Sequence, residues 1–120
     1  MLTTKEKIAA VVTALEDIKA SNITVIDTSK LSSMFECMIV ASANSPRQTR
    51  ALASHLVQQI KLRGAPVLGT EGEDSGEWVL VDLGEVVVHI MQPAVRAYYR
   101  LEELWDKNFK PAIPVPHSGT

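Results

Sequence analysis

The stretch Glu77-Trp78-Val79-Leu80-Val81-Asp82-Leu83-Gly84-Glu85-Val86-Val87-Val88-His89-Ile90-Met91 constrains the fold more than any other. Two β-branched runs flank a glycine, the pattern of a strand, a tight turn and a second strand. With Leu83 and Gly84 as the loop, or those two with Asp82 and Glu85, Val81 pairs with Val86, Val79 with Val88, and Trp78 with His89. Side chains alternate across a strand, so Val79, Val81, Val86, Val88 and Ile90 share one face. That face is wholly apolar and is expected on the core. The other face carries Trp78, Leu80, Asp82, Glu85, Val87 and His89. A Trp, two carboxylates and a His do not compose a core, so this face is expected toward solvent or a partner. A three-residue loop would mix the two sets. Leu83 sits uneasily in a primed turn, which asks for a positive φ that a Leu resists.

The remaining elements follow from spacing and caps. Thr3-Thr4-Lys5-Glu6 has the capping-box pattern, and Ile8, Val11, Val12, Leu15 and Ile18 recur at helical spacing. A first helix is predicted from about Thr4 to about Lys19, ended by Ser21-Asn22. Ile23–Asp27 reads as a short strand, and Thr28–Ser33 as polar loop. Cys37–Ala41 is a continuous apolar run, as in a central strand covered on both faces. Ser45 caps a second helix, with Pro46 in its first turn and Gln48 completing another capping box. That helix turns Leu52, Leu56 and Ile60 inward and stops at Gly64. Val67–Thr70 is a short strand, followed by the acidic loop Glu71–Gly76. A third helix runs from about Ala94 to about Lys107, with Tyr98, Leu101, Leu104 and Trp105 on one face. The order α-β-β-α-β-β-β-α implies a mixed α/β (α+β) domain over residues 1–108, a five-stranded mixed sheet flanked by helices. Residues 109–120 are Pro-rich and are expected to form an extended, mobile tail with no part in fold or binding.

Composition narrows the function. The formal net charge of −2 gives no overall pull toward nucleic acid or an anionic membrane. One cysteine, Cys37, cannot close an internal disulfide and fits a reducing compartment. The N-terminus lacks the apolar region of a signal peptide, and no apolar run reaches membrane-spanning length. A cytoplasmic domain is expected.

The sites that could carry chemistry are weak. His55, His89 and His117 each stand alone, without a second His or Cys at metal-ligand spacing, so no metal is expected. His89 reads better as a strand residue pairing with Trp78, and Cys37 as a small core residue. Glu71, Glu73 and Asp74 lack the ligand spacing of a calcium loop. Ser45-Pro46 opens a helix, but the approach is not Gly-rich and Pro46 removes a donor, so an ordinary capped start outweighs a phosphate cradle. Arg47, Arg50, Lys61 and Arg63 put positive charge on the second helix, read as a solvated face without aromatic stacking residues nearby. A two-metal phosphoryl-transfer site needs paired carboxylates. At two-residue spacing from Asp82 stand Leu80 and Gly84. That absence argues against an enzyme.

Several stretches together resemble one family: Asp27–Ser33, Ile39–Ser42, Ser45–Ala53, Glu71-Gly72, Gly76–Asp82, Gly84–His89 and Arg96–Trp105. The chain from about Lys5 to Asp106 is similar to the bacterial ribosomal silencing factor (RsfS, Iojap-like) family. The resemblance implies a fold like that of nucleotidyltransferases without their catalytic carboxylates, and no cofactor. It implies binding to the large ribosomal subunit through its universal protein numbered fourteen (uL-fourteen). Joining of the small subunit would be blocked and translation silenced when nutrients are scarce. It also implies a homodimer when free, and leaves room for contact with neighbouring ribosomal RNA. Set on the hairpin's outer face, that binding is expected to use Trp78 as anchor and Leu80 and Val87 as the dry centre. Asp82 and Glu85 would meet basic groups, with His89 and Tyr98 at the margin. The chain departs from the family pattern at Pro46, where Asp is common, at Ala43-Asn44 for Gly-Thr, at Glu36-Cys37-Met38 for a more aromatic segment, at Leu83 for an aromatic, and at Glu85 for Asp.

Overall fold

Both long helices are bounded by side chains and backbone turns that satisfy their free ends. In the computed structural model, which describes residues 2–104, α1 runs Thr4–Asp17. Thr3 Oγ1 accepts the Glu6 N–H at 3.1 Å, and Glu6 Oε1 accepts the Thr3 N–H at 2.9 Å. The helix stops short of the predicted Lys19 because Lys19 itself turns left-handed, at φ 65°. The Ala20 N–H then reaches back to the Leu15 carbonyl and the Lys19 N–H to that of Glu16, each at 3.0 Å. This is a Schellman closure with Lys where Gly is usual. α2 runs Pro46–Leu62 and ends the same way at Gly64, as the sequence predicts.

Gln48 does more than close a capping box. Its N–H meets Ser45 Oγ at 3.0 Å, but its Oε1 takes the Asn44 N–H at 2.7 Å instead of that of Ser45. Its Nε2 donates to the Ile18 and Lys19 carbonyls, both at 3.1 Å. One side chain thus starts α2 and caps the end of α1.

The strands are β1 (Ser21–Asp27), β2 (Cys37–Ser42), β3 (Gly69–Glu71), β4 (Trp78–Asp82) and β5 (Val86–Met91). They form one sheet in the order β1-β2-β5-β4-β3, antiparallel except for the parallel β2–β5 pair. The predicted mixed five-stranded sheet and element order are observed. β1 begins earlier than predicted, through an irregularity between Ser21 and Thr24 where Asn22 takes φ 50°. β3 is shifted toward Glu71, where Gly69, Thr70 and Glu71 pair with Asp82, Val81 and Leu80 of β4.

β2 is buried at every position, so the sheet has two covered faces. On one, Val11 and Leu15 of α1 and Leu52, Leu56 and Ile60 of α2 pack on Ile39, Val79, Val81, Val88 and Ile90. The other holds a smaller cluster of Met38, Val40 and Met91, joined by Ile26, Phe35, Trp78, Val95 and Leu101. α3 (Pro93–Tyr99) supplies Val95 to this second cluster. It is tied to the sheet by Arg96, whose guanidinium donates to the Asn22 carbonyl at 2.6 Å and to Ser42 Oγ and Thr24 Oγ1 at 2.9 Å.

The unbroken third helix does not form. Arg100 adopts φ 51° after Tyr99, and a separate helical turn, α4 (Leu101–Leu104), follows it. Tyr98 consequently points outward while Leu101 joins the second cluster, so the two do not share a face. Trp105, the predicted helix end at Lys107, the boundary at residue 108, His117 and the tail lie outside the described residues.

Candidate partner-binding face

The predicted division of the hairpin strands into two faces holds except at Glu85, although the register is moved by two. Trp78 pairs with Met91, Val79 with Ile90, Leu80 with His89, Val81 with Val88, and Asp82 with Val87. An even shift leaves every side chain on its face. The turn is centred on Gly84-Glu85, closed by the Leu83 N–H on the Val86 carbonyl at 3.0 Å. Gly84 supplies the positive φ, at 92°, and Asp82 Oδ1 accepts its N–H at 2.9 Å. Leu83 is thereby relieved of the turn conformation and extends the inner face, 1% exposed within the core.

Glu85 is not on the outer face. Its carboxylate turns toward α1, where Lys7 Nζ lies 2.8 Å away and Thr4 Oγ1 donates at 3.5 Å. Lys7 is buried, and its Nζ also donates to the Leu83 carbonyl at 3.2 Å. Bonding to the ammonium holds the Glu85 carboxyl below its ordinary range. The charge predicted to face a partner is already paired inside the chain.

Trp78 is half-buried at the upper end of the outer face. Its ring packs on Tyr99 at 4.8 Å between centroids, a neighbour the sequence analysis missed, and Tyr99 meets exposed Tyr98 edge-on at 4.9 Å. Its indole N–H donates to His89 Nδ1 at 3.0 Å. The expected Trp–His pairing therefore exists, but on the diagonal.

Below Trp78 the face opens into a shallow groove. Leu80, Val87 and His89 form its floor with Asp82 and Gly84 at one end, and Met34, Phe35 and Leu68 form its rim. The floor residues are half-buried, whereas Met34 and Leu68 are 84% and 65% exposed. Leu68 comes from the segment read in sequence as a short strand, and Met34 and Phe35 from the stretch between Ser33 and Cys37 to which the sequence assigns no element; the signal was three apolar side chains in those segments. Of the predicted residues, the groove gathers Leu80, Asp82, Val87 and His89. Trp78 and Tyr98 lie beyond its end, and Glu85 is turned away.

His89 titrates abnormally. Burial, which disfavours the imidazolium, lowers its pKa from 6.5 to about 4. The unfolded chain therefore binds a proton that the folded chain refuses. The resulting stability is complete above pH 6.5 and is lost as pH falls toward 4. From the shift this amounts to on the order of 3 kcal/mol. Urea midpoints measured from pH 7 downward are expected to fall across that window, and to fall less in His89→Gln. The depressed carboxyls of Glu6, Asp27 and Glu85 act only at the window's acid end, below their ordinary values.

The loop entering β4 is held by close backbone contact. Gly72 has φ 91°, and a Cβ there would lie 2.0 Å from the Trp78 carbonyl oxygen. Gly72→Ala is expected to cost at least about 2 kcal/mol of stability, read as a lowered denaturation midpoint. A midpoint within error of the parent would show that the loop yields freely.

Among the described residues no three His, Cys, Asp or Glu side chains gather as a metal site, and no helix is long and apolar enough to cross a membrane. The family model described as "Ribosomal silencing factor during starvation" matches residues 2–119. The chain is 54% identical over 102 residues to the ribosomal silencing factor RsfS of Chromobacterium violaceum, covering 85% of this chain and 83% of that one. It is 39% identical over 99 residues to that of Bacillus subtilis, covering 82% of each. A crystal structure of a Chromobacterium violaceum protein superposes with a TM-score of 0.86 at 46% identity, covering 99% of this chain and all of that one. A Bacillus halodurans structure gives 0.78 at 33% identity, covering 85% and 95%.

Proposed function

This chain belongs to the ribosomal silencing factor family, of ribosome-associated translation regulators, and we propose that it binds the large ribosomal subunit through the groove on the outer face of β4 and β5. The partner in this reading is uL-fourteen, and occupancy of that protein blocks joining of the small subunit. The observation that carries it is the apolar strip of Leu80 and Val87, framed by exposed Met34 and Leu68. α3 packs over the Trp78–Met91 end of the same face but not over this end. Clustered exposed apolar residues mark binding surfaces where scattered ones do not. Asp82 at the groove's end favours a basic partner, contributing more to encounter and register than to affinity.

The test is co-sedimentation of the purified chain with isolated large subunits, followed by addition of small subunits. Binding to the large subunit and loss of joined ribosomes are expected. Failure to pellet with large subunits at micromolar concentration would defeat the proposal.

The role we propose is non-catalytic. Asp82 spends one oxygen on the Gly84 N–H, and its neighbours on the face are Leu80 and Val87. Calorimetry with magnesium and a nucleoside triphosphate is expected to show no saturable heat; a magnesium-dependent isotherm would revive an enzymatic reading.

A further inference from the structure

We infer that Met34 is a modification site at which peroxide oxidation loosens the docking proposed above, an inference that rests on the groove being the binding surface. The described residues hold four sulfur atoms, in Met34, Cys37, Met38 and Met91. Three are closed to solvent: Cys37 is 3%, Met38 4% and Met91 0% exposed. Burial also pushes the Cys37 thiol pKa up, which removes the reactive thiolate. Met34 is 84% exposed. Its backbone is fixed locally, the N–H donating to Ser32 Oγ at 3.0 Å, while its side chain stands on the groove's rim beside Phe35.

The chemistry needs no protein base. A thioether lone pair attacks one oxygen of hydrogen peroxide. The S–O bond forms as the O–O bond breaks, and the departing hydroxide leaves as water after proton transfer. Sulfur loses two electrons and the peroxide gains them. The product sulfoxide is polar and accepts hydrogen bonds. Leu80 and Val87, which make the dry part of the floor, offer it no side-chain donor. A partner closing the groove strips water from the sulfoxide, and desolvating that strongly polar group costs binding energy that the thioether does not cost. The unmodified thioether suits the same place, because a flexible, polarizable side chain adapts to an apolar surface.

The experiment treats the full chain with hydrogen peroxide, maps sulfoxides by peptide mass spectrometry, and measures pelleting with purified large subunits. Met34 is expected to oxidise before Met38 and Met91. The treated parent is expected to bind at least about tenfold more weakly than the untreated parent, with recovery after methionine sulfoxide reductase. In Met34→Leu the ratio of affinities before and after treatment should be about one, which also separates Met34 from Met1. Met34→Gln should reproduce the loss without peroxide. Earlier oxidation at Met38 or Met91, or unchanged pelleting of protein fully oxidised at Met34, would overturn the inference and leave the groove intact as a binding surface. Absence of pelleting by the untreated parent would defeat the groove itself.

Discussion

Leu80→Asp is expected to abolish pelleting with the large subunit, weakening binding by at least about a hundredfold while the chain stays folded. A docked partner would bury the new carboxylate without a counter-charge, and burying an unpaired charge costs about 2–5 kcal/mol. The free chain escapes that cost, since Leu80 lies half-exposed on the outer face and contributes to neither buried cluster. Circular dichroism and the melting midpoint should remain near those of the parent. Asp82→Lys makes the complementary test by opposing a basic partner, but it also removes the acceptor that Gly84 N–H uses. Asp82→Asn keeps an acceptor and removes the charge, so it isolates the electrostatic part. It should slow association and weaken the salt dependence of binding without unfolding the turn. Parent-like pelleting by both Leu80→Asp and Asp82→Lys would remove the groove from consideration.

Trp78→Ala is expected to act first on stability, at a cost of about 3 kcal/mol. The indole contacts Tyr99 and His89, and it borders the cluster of Met38, Val40 and Met91. Its removal opens a cavity beneath α3 and leaves His89 Nδ1 without its donor. A partner-surface anchor and a residue packed under the third helix give different signatures. The first loses binding at constant melting midpoint, while the second loses the midpoint. The observed packing predicts the second, with any binding loss following from disorder of the groove's upper end. Trp78→Phe keeps the ring contact and loses only the indole donor, so it should recover most of the midpoint. A midpoint unchanged in Trp78→Ala would show that α3 does not depend on the ring.

The two faces of the hairpin were legible because strand side chains repeat every two residues, and any even error of register conserves the faces. The register itself was not legible. Val81, Val86, Val87 and Val88 make nearly equivalent partners, and the choice fell to Gly84, whose positive φ frees Leu83 for the core. Caps were legible at Thr3 and Ser45 because they act over three residues. The second use of Gln48, on the carbonyls of Ile18 and Lys19, depends on tertiary proximity. So does the Lys7–Glu85 pair, although Lys7 stands one helical turn before Val11 on the buried side of α1, a position where a charge wants a partner. The end of α3 carried no Gly or Pro to mark it; Arg100 takes a left-handed conformation that sequence propensity disfavours. The groove was half legible. Its floor came from strand alternation, whereas Met34, Phe35 and Leu68 sit in connecting segments where no period applies.

The parallel pairing of β2 with β5 sets a timetable for the newborn chain. β1 and β2 can pair as soon as both have been synthesised, since they are neighbours in sequence. The other edge of β2 waits for Val86–Met91, and β2 is the strand buried at every position. Until then its edge of unpaired backbone N–H and C=O groups is a template for any passing strand, and such long-range closure is slow. The groove lies on β4 and β5, so it comes into being only once β5 has joined the sheet. A fragment ending before β5 would display the sticky edge and none of the binding surface.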